Sequence, residues 1–318
     1  MIQRPPTVMV AGSANLDFVV RAPRIPAPGE TVLGGGFRTY PGGKGANQAV
    51  ACARAGGVRT RMLVAMGDDA HAAPLRESLQ AAGVELELRR PGGAATGVAF
   101  ICISAEGENA ITVAPGANMG LCADDLPPLD GVDCLLLQLE SPLEAVTAWA
   151  ARARAAGVRV VLNAAPARAL PPGLLGAVDV LVVNEGELAA VTGIGDPACA
   201  LAAVPVPAVV VTLGGAGAVA RLPDGGLHVQ AAFAVEPLDT TGAGDTFCGV
   251  LCAALARGDS LPQAMAEAAA AAALACTRAG AQTGVPARPE VLAFAASAAT
   301  RDDAPLRARF SLPHGELK

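Results

Sequence analysis

A chain of 318 residues with a net charge of −6 and a sequence pI near 5.2 can bury a sizeable core and lacks the basic balance of a nucleic-acid binder. Its mean hydropathy of +0.43 reflects alanine, and the densest alanine stretch, AAAAAALAC at 268–276, is far shorter than the ~20 residues a membrane span requires. The N-terminus carries two prolines and a short apolar run in place of a secretory signal, so the expected setting is the cytoplasm, with no membrane or nucleic-acid partner.

TVMVAGS (7–13) reads as a buried strand ending in small residues, and the Pro- and Gly-punctuated stretch ANLDFVVRAPRIPAPGETVLGGGFRTY (14–40) as part of a small sheet projecting from the main body. GGKGANQAVACARAGG (42–57) predicts a helix from about Ala46 to the Gly56-Gly57 pair. From RMLVAMGDDA (61–70) onward apolar strands alternate with helices: CLLLQLE, VRVVLNA, DVLVVNEGE and AVVVTLGG are the strands, SPLEAVTAWAARARAAG and EGELAAVTG two of the helices. Continuous apolar strands in this alternation indicate a parallel sheet covered on both faces. TGVAFICISAEGENAITVAPGAN (96–118) interrupts it as a β-hairpin with Glu106-Gly107 near its turn, assigned to the projecting sheet. The composition around 198–208 reads as Ala/Pro bias only, and ATRDDAPLRARFSLPHGELK (299–318) as a frayed tail.

Eight cysteines are scattered with no C-x-x-C pair; Cys248 and Cys252, four apart, read as a buried thiol pair on one helix face. His71, His228 and His314 are isolated, so neither a zinc site nor a Ser-His-Asp triad is legible.

Polar residues recur where the strands end: Asn15 and Asp17, Glu140, Asn163, Asn184 and Glu187, and Thr212. One such residue is ordinary strand-end polarity; the series describes a cleft along the carboxyl edge of the sheet. DTTGAGDTFCGV (239–250) then places Asp245 at a helix start, where a carboxylate either caps the helix or stands beside a bound phosphate.

GGKGANQAVA (42–51) and DTTGAGDTFCGV, in the context of GSANLD, PAPGET, GENAITVAPGAN, LLLQLESPLE, NEGE and TLGGAG, resemble the ribokinase-like family of sugar and nucleoside kinases over residues 7 to 295. The chain, like that family, has no G-x-x-x-x-G-K-[ST] loop. The resemblance implies a three-layer α/β/α sandwich with a mainly parallel central sheet and a β-sheet lid built from strands at about 15–40 and 96–114, a single kinase domain over 1–295 and a tail over 296–318. It implies ATP-dependent phosphorylation of D-ribose at O5, giving ribose 5-phosphate and ADP, with deoxyribose, fructose or a nucleoside as the alternative acceptors. A catalytically silent sugar-binding protein is disfavoured by the intact Gly242, Gly244 and Asp245.

Carried over by the resemblance, Gly242, Ala243 and Gly244 form an anion hole for the transferring phosphoryl group, and Asp245 is the general base. Asn15, Leu16, Asp17, Gly43, Lys44, Gly45, Ala46, Asn47 and Glu140 fall on the sugar side. Asn184 and the loop Thr212, Leu213, Gly214, Gly215, Ala216 and Gly217 fall on the nucleotide side, with Glu187 linked to Mg²⁺ through water. A potassium site is implied by Asp239 and by carbonyls of Thr241, Ala275, Arg278 and Gly280, weakened where Gly284 replaces a serine and Thr283 is the possible substitute. A histidine of the family beside the adenine corresponds to Ala268, and the segment between 193 and 208 leaves little room for a full helix. The lid strands, too few to bury their own apolar face, predict a homodimer.

Overall fold

Thirteen strands and ten α-helices follow from these patterns in the computed structural model, which describes residues 4–310. His314 and the end of the tail lie outside the described residues. The first half runs β1 (Thr7–Ala11), β2 (Asn15–Arg21), β3 (Gly35–Gly42), α1 (Lys44–Arg54), β4 (Arg59–Ala65), α2 (Ala72–Ala81), β5 (Glu85–Arg89), β6 (Gly97–Ile103), β7 (Asn109–Ala114) and β8 (Cys134–Leu137). The second half runs α3 (Leu143–Ala155), β9 (Arg159–Asn163), α4 (Pro172–Leu175), β10 (Val180–Asn184), α5 (Glu185–Thr192), α6 (Pro197–Ala203), β11 (Ala208–Thr212), β12 (Gly217–Arg221), β13 (Leu227–Ala231), α7 (Ala243–Ala256), α8 (Leu261–Cys276), α9 (Arg288–Ser297) and α10 (Ala304–Arg309).

Nine strands form the main sheet in the order β13-β12-β11-β10-β9-β8-β1-β4-β5. Its pairs are parallel from β11 through to β5, and β12 and β13 close one edge antiparallel. The apolar runs are continuous because both faces are buried. Val8 and Val10 of β1 pack under α1, α7 and α8, while Met9 and Ala11 pack on the other side with Trp149 of α3, all with no exposure. The second sheet, β3-β2-β6-β7, is the projecting lid, with β6 and β7 joined at the expected Glu106-Gly107 turn.

Helices α1 and α7 touch backbone to backbone. A methyl group placed on Gly249 would lie 2.5 Å from the Gln48 carbonyl oxygen and 2.6 Å from Ala51 Cβ, so only glycine permits this approach. Cys248 and Cys252 are buried in the same packing as free thiols, as the sequence predicts.

Three expectations need correction. Helix α1 starts at Lys44 and not at Ala46, because packing of Gly45 against the Ser13 backbone overrides the helix cost of glycine. The stretch read as Ala/Pro bias contains α6, whose signal was present: Asp196 caps it by accepting from the Cys199 N–H at 2.8 Å, and Pro197 follows at the first helical position. The tail is not frayed over 298–310. Thr300 bridges Phe233 in antiparallel fashion, and Leu306 and Phe310 are each 3% exposed against the core.

Candidate active site

The sheet order reverses at β1: β4 and β5 lie to one side, β8 to β11 to the other. Connections leaving in opposite directions open a crevice at the carboxyl ends of the strands. In that crevice Ser13 Oγ donates to Glu140 Oε2 at 2.5 Å, and the same oxygen accepts the Lys44 N–H at 3.0 Å. Glu140 thus ties β1 and the end of β8 to the start of α1. Gly43, Gly45 and Ala46 complete this junction through their backbones, the Ala46 N–H reaching the Ser13 carbonyl at 2.8 Å.

Asn15 and Asp17 share one face of β2 by the period of two, and Leu16 between them is buried on the opposite face in the core. Asn15 is held by a residue that the sequence reading missed. Asn118 donates to Asn15 Oδ1 at 2.8 Å and to the Ala14 carbonyl at 3.1 Å, and accepts the Ala14 N–H at 3.0 Å. Its signal was the polar end of the GAN triplet after the hairpin. The Asp17 carboxyl is pushed up to about 7, first by burial and then by the neighbouring Glu140 and Asp245 carboxylates.

Asp245 lies in the first turn of α7 and is 9% exposed. Its Oδ2 accepts from Asn47 Nδ2 and its Oδ1 from Gln48 Nε2, each at 2.9 Å. These two amides are themselves oriented. Gln282 donates to Asn47 Oδ1 at 3.1 Å, Gln138 donates to Gln48 Oε1 at 2.6 Å, and Gln48 Nε2 also reaches Asn163 Oδ1 at 3.0 Å. Gln48 and Gln138, inside the motifs that carry the resemblance, and Gln282 receive no role from the sequence, although buried amides are the kind of polar group that must be hydrogen-bonded. Gly242 caps α7 with φ 76°, a left-handed turn suited to glycine. The Ala243 N–H is engaged by the Thr240 carbonyl at 3.2 Å, leaving the following N–H groups of the first turn to face the cleft.

Asn184 and Glu187 form a reciprocal cap on α5: the Glu187 N–H donates to Asn184 Oδ1 and the Asn184 N–H to Glu187 Oε2, both at 2.8 Å. Both residues also line a cavity of about 170 Å³ with Lys44, Gly242, Gly244 and Asp245. Burial raises the Glu187 carboxyl, with the Asn184 N–H and Lys44 opposing. Lys44, expected in the sugar loop, sends its side chain to this cavity; Asp245 raises its ammonium against burial, with Glu140 and Glu187 adding.

Thr212 and Gly244 lead from this cavity to a second, of about 240 Å³, with Gly214, Gly215 and Gly217 on one side and Phe233, Phe247 and Ala273 on the other. Within the 212–217 loop, Leu213 packs against the core, and the Ala216 backbone holds the loop by accepting the Ala232 N–H at 3.2 Å. Ala268, expected beside the base, lies instead in the core; Ala269, Ala272, Ala273 and Cys276 form the cavity wall, one helical face of α8. The wall is completed by Arg301, which the sequence reading did not single out.

Asp239 accepts the Thr241 N–H at 2.9 Å and the Gly280 N–H at 2.8 Å; burial opposes ionisation, but these bonds prevail and hold its carboxyl below the usual range. A methyl group on Gly284 would stand 2.6 Å from the Gly280 carbonyl oxygen, 3.3 Å from that of Ala275 and 3.4 Å from that of Arg278. These carbonyls converge on one point, a donor set suited to a monovalent cation. Thr283 Oγ1 is engaged elsewhere, donating to the Ala279 carbonyl at 2.7 Å.

Residues 6–288 match the pfkB family of carbohydrate kinases. The chain is 37% identical over 302 residues to a ribokinase of Haemophilus influenzae, covering 91% of this chain and 98% of the relative. It is 38% identical over 295 residues to a ribokinase of Bacillus subtilis, covering 89% and 97%. A structure of Arabidopsis thaliana ribokinase complexed with ribose and ATP superposes with a TM-score of 0.85 at 34% identity, covering 92% of this chain and 99% of that one.

Proposed function

The chain belongs to the pfkB family of carbohydrate kinases, and from that membership and the site we propose that it transfers the γ-phosphoryl group of ATP to O5 of D-ribose, giving ribose 5-phosphate and ADP. The observation that carries the reading is Asp245: a carboxylate at the start of α7, oriented by two side-chain amides, beside a lysine-lined cavity.

Asp245 takes the proton of the 5-hydroxyl as the O5–phosphorus bond forms and the bond to the β-phosphate oxygen breaks. Phosphoryl transfer demands little covalent help and much positioned charge. Lys44 and the open N–H groups of Gly244 and Asp245 meet the equatorial oxygens. Asp17 and Asn15 hold the sugar hydroxyls, with Glu140 fixing the loop that carries Lys44. Glu187 and Asn184 fit Mg²⁺ held through water, since the ion dehydrates reluctantly and Glu187 shares the cavity lining with Asp245. When bound, the ion neutralises phosphate charge. Asp239 and the Ala275, Arg278 and Gly280 carbonyls, with Thr241, fit potassium, which would order the turn before α7.

The lid leaves Phe37 63% and Phe100 56% exposed on the face that also carries Phe18, an apolar surface that a second copy would cover, so the working form is a homodimer. The cytoplasm is the proposed compartment. All eight cysteines are free thiols, and among the described residues no helix is long and apolar enough to cross a membrane.

The test is ATP turnover with ribose, deoxyribose, fructose and a nucleoside, with the product position read by NMR. Ribose 5-phosphate as the preferred product supports the reading; turnover confined to another acceptor overturns it.

A further inference from the structure

The strap after α9 runs beyond residues 6–288, which match the family, and forms one wall of the second cavity. Its backbone is pinned there. The Ala234 N–H donates to the Ala299 carbonyl at 3.1 Å, Thr300 pairs with Phe233, and the Arg301 N–H donates to the Ala232 carbonyl at 2.8 Å. Its far end is anchored as well. Leu306 and Phe310 enter the core, and Arg309 pairs with Glu185 at the start of α5. The neighbouring acids are occupied locally: Asp302 accepts the Ala304 N–H at 3.0 Å and Asp303 pairs with Arg307 at 2.8 Å.

What this leaves over the cavity is the Arg301 guanidinium. One of its nitrogens lies 3.6 Å from the point that a methyl on Gly215 would occupy. Among the described residues it makes no hydrogen bond or ion pair, and it is the one charged side chain on the cavity wall. The opposite wall is apolar, from Phe233, Phe247 and the alanines of α8. A flat apolar slot faced by one planar cation suits an aromatic heterocycle, since a guanidinium stacks on a π face and is weakly hydrated. A phosphate chain would find no second charged side chain there.

We infer that Arg301 is a nucleotide-binding residue of this chain that packs its guanidinium against the purine of ATP, making the strap part of the nucleotide site. The inference rests on the kinase reading of the same cleft. It assigns base affinity to a residue outside the family-matched segment, and it leaves the chemistry at Asp245 untouched.

The experiment compares wild type, Arg301→Ala and Arg301→Lys in steady-state kinetics and in calorimetric binding of adenosine and of tripolyphosphate. The expected result for Arg301→Ala is a roughly 3- to 30-fold rise in the KM for ATP and the same loss in adenosine affinity, the range of a cation–π contact. The kcat, the KM for ribose, tripolyphosphate binding and the Tm stay within error. Arg301→Lys recovers part of the loss. An unchanged adenosine affinity in Arg301→Ala overturns the inference, as does an equal loss for tripolyphosphate, which would make Arg301 a phosphate contact. Absence of ribose phosphorylation by the wild type would instead sink the ribose reading, and adenosine binding would still decide the role of Arg301.

Discussion

The main sheet and the lid are both β-structure, yet they are stabilised in opposite ways. Strands β1 and β8 have every residue buried, covered by helices on both faces. The four lid strands stand out from the body, β7 is exposed along its whole length, and Phe18, Phe37 and Phe100 stack on one another with much of their surface in water. An apolar sheet face has to be buried against another element, and this one is not covered within the chain. The body therefore supplies a rigid frame for Asp245, while Asp17 stands on a strand of the lid.

The largest effect that separates the two regions is expected at the body's base. Asp245→Asn keeps one acceptor oxygen, so of the bonds from Asn47 and Gln48 one survives, at a stability cost of about 1 kcal/mol. Its kcat should fall by ~10²–10⁴, the scale of a general base, with the lid unaffected. Near-normal kcat would remove Asp245 from the chemistry.

Next in size is a pH effect confined to the lid. Because burial and the neighbouring acids raise Asp17 to about 7, it carries a proton below that pH and loses acceptor capacity for sugar hydroxyls. Sugar affinity should therefore rise with pH. The KM for ribose should fall about tenfold between roughly pH 6 and 8 as the carboxylate fraction grows, and Asp17→Asn should flatten the profile. A slope that persists in Asp17→Asn would assign the titration elsewhere.

Two smaller effects follow. Phe100→Asp should convert a dimer to a monomer in light scattering and leave the Tm of the body nearly unchanged, since this ring is 56% exposed. A dimer of unaltered mass would mean the lid is not the contact. Potassium added back at constant ionic strength should raise turnover a few-fold at most, and Asp239→Ala should abolish the response; no response in the wild type would discard the cation site.

The body was legible in the sequence because its signals are local: continuous apolar strands, a glycine turn before an apolar helix, polar residues at successive strand ends. The lid hairpin was legible through Glu106-Gly107 between alternating runs. What escaped was tertiary. The amides Gln48, Gln138 and Gln282 have no role legible in the sequence, although Gln48 and Gln138 stand inside the motifs that carry the resemblance, since their significance is that folding buries them around Asp245. Lys44 lies in the expected stretch, yet only the fold brings it beside Glu187 and Asp245, which are remote in the chain. Helix α6 was hidden by alanine and proline, and the strap by its charge, which reads as solvated until Leu306 and Phe310 are seen to enter the core.

The division of labour between lid and body is tested most directly by two-substrate kinetics of Asp17→Ala at pH 8. The account predicts a KM for ribose raised on the order of 10- to 100-fold, because a charged hydrogen-bonding partner is lost while the sugar hydroxyls stay buried, with the KM for ATP within about twofold of wild type. Equal loss for ribose and ATP would contradict it and make Asp17 a structural residue of the cleft.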